Sequence, residues 1–292
     1  MSDLTTWRSL LYVPGNNAKF LSKAQSRGAD ALILDLEDSV PDGEKQAARN
    51  MLEEHLPGLS LGPSALAIRI NGGMRAGIRD LEALLHLGIS AIVLPKCEHP
   101  GKPIAIAEVL DDLEAERGIE AGSVAIIALV ETPGGLAQVN AIAMAHPRVQ
   151  ALLLGSEDFA AACRMTPSRD SLLGAKQQIV YAARAANIVP LGLLDSVAVL
   201  DSTSIEDLAH EARRFGFSGA TAVHPDAVPA LNRGFAPPEN EIAWARTVME
   251  TMRAAADEGK GAARLDGKMI DKPVQMQAEY ILSRAGKSES GA

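Results

Sequence analysis

The chain has 292 residues but only two cysteines, Cys97 and Cys163, which stand far apart in unrelated contexts. That excludes a disulfide framework and a cysteine-rich zinc site, and it favours a reducing compartment. Aromatic residues amount to 3%, too few for a stacking surface, so a core must be built from Ala, Leu, Ile and Val. Basic residues are in deficit, with 28 Lys and Arg against 37 Asp and Glu and a formal charge of -9. Such a balance gives no surface that tracks a phosphate backbone, and no nucleic-acid partner is expected. Long apolar runs are missing as well, since the longest, Val124–Val130, falls far short of the ~20 residues that cross a bilayer. Residues Met1–Pro14 lack the basic head, apolar middle and small-residue cleavage site of a signal peptide. The expectation is a soluble, cytoplasmic protein with no membrane partner.

What is present is alternation. Short β-type runs ended by Gly, Pro, Asp or Asn occur at Ser9–Val13, Ala31–Leu36, Ala65–Ile70, Ala91–Leu94, Val124–Val130, Ala151–Leu154, Val189–Leu193 and Ala220–Val223. Between them lie segments of helical spacing, Asn17–Arg27, Gly43–His55, Ile78–His86, Ile104–Arg117, Leu136–Ala145, Ser168–Ala186 and Ser204–Phe215, and an eighth follows at Glu239–Ala256. Eight apolar strands alternating with helices predict an α/β fold, a single (β/α)8 TIM barrel over residues 1–258. A doubly wound open sheet is the alternative. The count of eight favours closure, as does the lack of a Gly-x-Gly-x-x-Gly after any strand. Residues 259–292 are surplus to a barrel and read as a C-terminal helical extension, with an amphipathic stretch at Val274–Ala285 and a frayed end at Gly286–Ala292.

In such a barrel the reactive side chains stand where strands run out at their C-terminal ends. Glu131 and Asp158 arrive there from adjacent strands. They suit a hard cation such as Mg2+, which takes one or two carboxylates and leaves places for water and substrate oxygens. The alternative is that each caps the following helix. Arg69 ends a buried strand, where its fork either holds a carboxylate or an α-keto acid or pairs with a rim acid. Lys96 is either a Schiff-base lysine or a charged partner of the surrounding acids. Asp35, Glu37 and Asp38 make an acidic corner, with the first two on one strand face and Asp38 on the other. Glu37 and Asp38 either serve the waters of a metal ion or belong to a turn in which Asp42 caps a helix. Gly134-Gly135 opens a helix and could offer N–H groups to an anion. His224 reads as a rim histidine.

These residues bring out a family likeness. Arg8–Gly15, Asp35–Val40 with Lys45 and Ala48-Arg49, Arg69-Ile70-Asn71, Leu94-Pro95-Lys96, Glu131–Gly134, Gly155–Phe159 and Gly267–Pro273 occur in the order found in the HpcH/HpaI aldolase–citrate lyase superfamily. The chain resembles its branch of citrate lyase β-subunits, malyl-CoA lyases and citramalyl-CoA lyases. The resemblance implies a Mg2+-dependent carbon–carbon lyase that cleaves a 3-hydroxyacyl-CoA thioester of the malyl-CoA or citramalyl-CoA type, reversibly, to acetyl-CoA and a 2-keto acid. It implies Glu131 and Asp158 as metal ligands and Glu37 and Asp38 around them. Arg69 steadies the developing enolate, and Asp271 moves the proton at the enolate carbon from a neighbouring subunit. Substrate contacts fall on Arg69, Thr132, Pro133, Gly134, Gly155 and Glu157, and the coenzyme A contacts on Tyr12, Pro14 and Lys19. A homo-oligomer, trimer or hexamer, is implied. The chain departs from the family at Asp226-Ala227, where His-Pro is often followed by x-Gln. The short keto-acid aldolases carry Glu-His where this chain has Glu37-Asp38. Action on an acyl-carrier thioester, as a citrate lyase β-subunit, is the other reading, and a metal-dependent aldolase or thioesterase acting on related hydroxy acids is a third.

Overall fold

Strands buried on both faces shape the first part of the chain. The computed structural model describes residues 3–86, 88–195, 202–257 and 259–285; the terminal Gly286–Ala292 segment lies outside them. The first compact unit runs from Met1 to Phe235. It holds eight parallel strands, β1 (Ser9–Pro14), β2 (Ala31–Asp35), β3 (Ala65–Arg69), β4 (Ile89–Leu94), β5 (Ala125–Val130), β6 (Val149–Leu154), β7 (Val189–Leu191) and β8 (Ala220–Ala222). The sheet order is β7-β6-β5-β4-β3-β2-β1-β8. A parallel bridge from Leu191 to Gly219 closes the seam between β7 and β8. Ser218 N–H donates to the Pro190 carbonyl at 3.0 Å, and Gly192 N–H to the Gly219 carbonyl at 2.8 Å. Eight parallel strands in this nearly closed ring are the expected TIM barrel.

Alternate residues face inward. Ala31 and Ile33, Ala67, Ala91 and Val93, Ala125, Ile127 and Leu129, and Ala151 and Leu153 form one buried cluster with Leu4, Trp7 and Leu10. Their neighbours, including Leu32, Leu34, Ile68, Ile92, Ile126 and Ala128, belong to the layer packed beneath the helices. Both faces are therefore dry, which explains the continuous apolar strands. Trp7 and Leu4 precede β1, and their cluster includes the alanines of five strands, whose small size leaves room for the indole. At Gly219 a β-carbon would lie 2.1 Å from the Trp7 carbonyl oxygen, so only glycine allows that approach.

The helices of this unit are α1 (Ala18–Leu21), α2 (Lys45–Leu59), α3 (Met74–Leu84), α4 (Gly101–Arg117), α5 (Pro133–Ala137), α6 (Val139–Ala143), α7 (Ser156–Ala162), α8 (Arg169–Ala185), α9 (Ser202–Arg214) and α10 (Ala227–Gly234). Ser168 caps α8 through a reciprocal bond with Ser171. The helix after β8 is α10 and not the expected Glu239–Ala256. Pro229 falls in its first turn, where the missing N–H is harmless. At Gly234 a β-carbon would meet Ala209 Cβ of α9 at 2.4 Å.

The second unit, Ala236–Ala292, contains α11 (Glu239–Asp257), a hairpin of β9 (Ala263–Leu265) and β10 (Lys268–Ile270), and α12 (Lys272–Ala285). Ile242, Ala245, Val248 and Met252 of α11 share a buried cluster with Ile270, Ala278 and Ile281. Asp266 and Gly267 turn the hairpin with φ of 49° and 77°, as a two-residue turn of this kind requires. The division thus falls at 235/236, whereas the sequence suggests 258/259, because the apolar stripe of α11 is spent on α12. No helix among the described residues is long and apolar enough to cross a membrane.

Candidate active site

The inward series does not stop at the apolar layer. Continuing it by one step brings Tyr12, Asp35, Arg69 and Glu131 to the C-terminal mouth of the barrel, where all four line a cavity of about 480 Å³. Asp35 and Arg69 are direct register partners on β2 and β3. Arg69 Nε donates to Asp35 Oδ1 at 2.6 Å and Nη2 to Oδ2 at 2.7 Å. The Glu37 and Ser39 N–H groups also donate to Asp35, at 2.9 and 3.2 Å. Burial alone would raise the Asp35 pKa, but Arg69 and these bonds hold it below the usual carboxylate range. The guanidinium lies over the Tyr12 ring, 4.8 Å from its centroid. The pairing of Arg69 with rim acids is what the structure shows. Two of its nitrogens are bound by Asp35, and Nη1 faces the cluster, 3.1 Å from Asp38 and 3.3 Å from Glu37.

Oxygens of Glu37, Asp38 and Glu131 converge within 4.8 Å of one another. Glu37 is 5% exposed. Neither of its oxygens makes a hydrogen bond of good geometry, although Lys96 Nζ approaches Oε1 to 3.0 Å. Burial pushes its carboxyl up against the pull of Lys96 and Arg69. Glu131 accepts from the Lys96 N–H at 2.5 Å. Burial, with the charges of Glu37 and Asp158 added, raises its pKa to about 7. Gly155 makes room for it, since a β-carbon there would sit 2.6 Å from Glu131 Cγ. A buried carboxylate with unbonded oxygens beside two others is costly unless something neutralises it. The donor set is all oxygen, which fits a hard divalent cation and not a thiolate- or imidazole-seeking one.

Helix capping does not account for the two expected ligands. Thr132, not Glu131, caps α5 through the Gly135 N–H, and the N-cap of α7 is Gly155, which has no side chain to cap it. Asp158 lines the cavity with Gly155 and Glu157, but it stands outside the group of three converging carboxylates. Pro14 is on the wall. Lys19 is exposed on α1 and is not on the wall. Thr132 caps α5 and Pro133 and Gly134 open it, all three off the cavity wall. Gly135 is needed for contact, because a β-carbon would meet the Cys97 carbonyl at 2.7 Å. Asp271 immediately precedes α12 in the second unit, where its carbonyl accepts from Gln275. His224 is exposed, and its Nδ1 accepts from the Asp226 N–H at 3.3 Å.

Three lysines that sequence reasoning left without a role hold the strand ends. Lys45 Nζ donates to the carbonyls of Leu36 and Glu37 at 2.8 and 2.6 Å. Lys102 Nζ donates to those of Gly72, Pro95 and Lys96 at 2.9, 2.6 and 3.2 Å. Lys176 Nζ donates to those of Leu193 and Asp195 at 2.6 and 2.9 Å, and burial lowers its pKa to about 8. Lys45 and Lys102 open their helices, where a cation opposes the helix dipole. That misplacement is the signal available in the sequence.

A fixed guanidinium beside clustered carboxylates at the C-terminal mouth of a TIM barrel stands where enzymes of this fold carry their chemistry. Residues 8–225 match the pattern of HpcH/HpaI aldolase/citrate lyase, and the chain belongs to that family of enzymes. It is 35% identical to citrate lyase subunit beta of Escherichia coli K12 over 96% of this chain and 93% of that one. To the mitochondrial citramalyl-CoA lyase of Homo sapiens it is 31% identical, over 95% and 85%. The CitE protein of Mycobacterium tuberculosis, in complex with magnesium, acetoacetate and coenzyme A, superposes with a TM-score of 0.76 at 32% identity, covering 95% of this chain and 97% of that one.

Proposed function

We propose that this protein is a Mg2+-dependent lyase that reversibly cleaves a 3-hydroxyacyl-CoA thioester of the malyl-CoA or citramalyl-CoA type to acetyl-CoA and a 2-keto acid. The observation that carries the reading is the convergence of Glu37, Asp38 and Glu131 beside the pinned Arg69. In this reading Glu131 and Asp158 hold magnesium directly, while Glu37 and Asp38 face its waters, since Mg2+ keeps several waters beside one or two carboxylates. When bound, the ion supplies Lewis acidity toward the keto-acid carbonyl.

The chain's own groups supply the rest. Asp35 and the Tyr12 ring fix the guanidinium plane, so Arg69 presents Nη1 to the mouth as a preorganised donor for enolate or keto-acid oxygens. Gly155 and Glu157 line the substrate's side of the cavity, and Thr132, Pro133 and Gly134 receive the keto-acid carboxylate at the start of α5. Tyr12 and Pro14 lie toward the coenzyme A arm, with Lys19 further along it. Asp271 moves the proton at the enolate carbon, reaching the site of a neighbouring copy in a homotrimer or hexamer. Both cysteines are free, in keeping with a cytoplasmic address. The likeness to citrate lyase subunit beta favours a second reading, in which the acyl group rides on a carrier protein in place of coenzyme A.

The test is proton–deuterium exchange at the methyl of acetyl-CoA in D2O, with Mg2+ and each of pyruvate, glyoxylate and oxaloacetate. Exchange or condensation with one keto acid is expected. Silence with all three, in protein that binds Mg2+, would overturn the coenzyme A reading, and activity restored by an acyl-carrier thioester would establish the second. Release of free coenzyme A thiol without a keto acid would mark hydrolysis instead.

A further inference from the structure

Lys96 is one of four non-glycine residues with positive φ among the described residues, at 51°. Such a conformation is strained and persists only where the surroundings hold it. Two contacts do so, the N–H bond to Glu131 Oε2 at 2.5 Å and the Lys102 ammonium on the Lys96 carbonyl at 3.2 Å. One residue thereby reaches two acids, Glu131 through its backbone and Glu37 through Nζ at 3.0 Å. Gly72 leaves space for the stem, since a β-carbon there would lie 3.2 Å from Lys96 Cδ and 3.5 Å from Glu37 Oε1. The two ends differ in character. Glu37 is buried and still lacks a well-formed hydrogen bond, whereas the Lys96 side chain is 54% exposed and has solvent into which it can swing.

The geometry points to Lys96 as a tethered counter-cation, whose ammonium balances Glu37 in the metal-free enzyme and withdraws from it when a divalent cation enters the carboxylate cluster. This rests on the magnesium reading above. It makes Lys96 a positioning residue that sets how tightly the metal binds, with no covalent step. Part of the metal's binding energy is spent on displacing a charge already present, so removing that charge tightens binding.

Calorimetric titration of the metal-free protein with Mg2+ tests the affinity, using wild type, Lys96→Met and Lys96→Arg. The Met variant is expected to bind about threefold to tenfold more tightly, and the Arg variant, which keeps the charge, like wild type. A second measurement needs no variant: acetylation of Lys96 by a water-soluble amine reagent, followed by mass spectrometry, is expected to speed up when Mg2+ is added. Equal or weaker binding by Lys96→Met, or a labelling rate at Lys96 that Mg2+ leaves unchanged or slows, would overturn the inference and leave the lyase reading standing. Absence of Mg2+ binding by the wild type would overturn both.

Discussion

Glu131→Gln replaces a buried acid of the site by a neutral group of the same shape that still accepts from the Lys96 N–H. Glu131 has its pKa raised from 4.5 to about 7, chiefly by burial. Between those values the folded protein binds more protons than the unfolded chain, so stability falls as pH rises and the full cost is present above pH 7. The rise corresponds to about 3 kcal/mol, at about 1.4 kcal/mol per pKa unit. In the presence of a chelator, Glu131→Gln is therefore expected to be more stable than wild type by up to about 3 kcal/mol at pH 8, or roughly 5–10 °C in Tm. The two should be alike near pH 4.5. Urea titrations at both pH values give the difference directly, and comparing two otherwise identical chains cancels the titrating groups remote from Glu131. Added Mg2+ should raise the wild type and leave the variant unmoved. Equal stability at pH 8 with chelator would refute the claim that an uncompensated carboxylate is buried there.

Gly155→Ala forces a β-carbon against Glu131 Cγ and should weaken Mg2+ binding about tenfold without altering any ligand; unchanged calorimetric affinity would show that Glu131 has room to move. Arg69→Lys keeps the charge but loses the fork held by Asp35. Deuterium exchange into acetyl-CoA should then slow by about two orders of magnitude while Mg2+ affinity changes little, and a wild-type exchange rate would take Arg69 out of the chemistry. Asp271→Asn should abolish enolate proton exchange with Mg2+ binding nearly intact. Mixing it with an Arg69 variant should restore some activity if the tail works on a neighbouring copy, and no recovery would favour action within one chain.

The barrel was legible because its strands are apolar on both faces and its helices amphipathic, and the same alternation that gives Ala31, Ile33 and Asp35 one face carries the candidate site. Arg69 and Glu131 could be picked out as charges ending apolar strands. Pro229 and Gly234 make Ala227–Gly234 look like a loop, so the sequence favours the longer periodic stretch at Glu239–Ala256 as the helix after β8. Asp35 was seen as one of three acids, and its bidentate hold on Arg69 depends on cross-strand register, which no linear spacing reveals. The lysine clamps were hidden for a related reason. Each reaches carbonyls at the end of a strand: Lys102 joins the loops after β3 and β4, and Lys176 reaches carbonyls 17 and 19 residues further along the chain.

The closure between β7 and β8 is the thinnest part of the wall. β1 and β2 share five register pairs, whereas β7 and β8 meet through one bridge and two flanking bonds. Local opening follows the least-bonded path, so this barrel has a built-in place to breathe. That place borders the cavity at Gly192, Leu193 and Asp195, across the ring from β3 and β4, which carry Arg69 and lead to Lys96. Opening at this seam leaves Arg69 and Lys96, on the far side, with their spacing unchanged, and amide hydrogen exchange should be fastest, around the barrel wall, at Leu191–Gly192 and Ser218–Ala220.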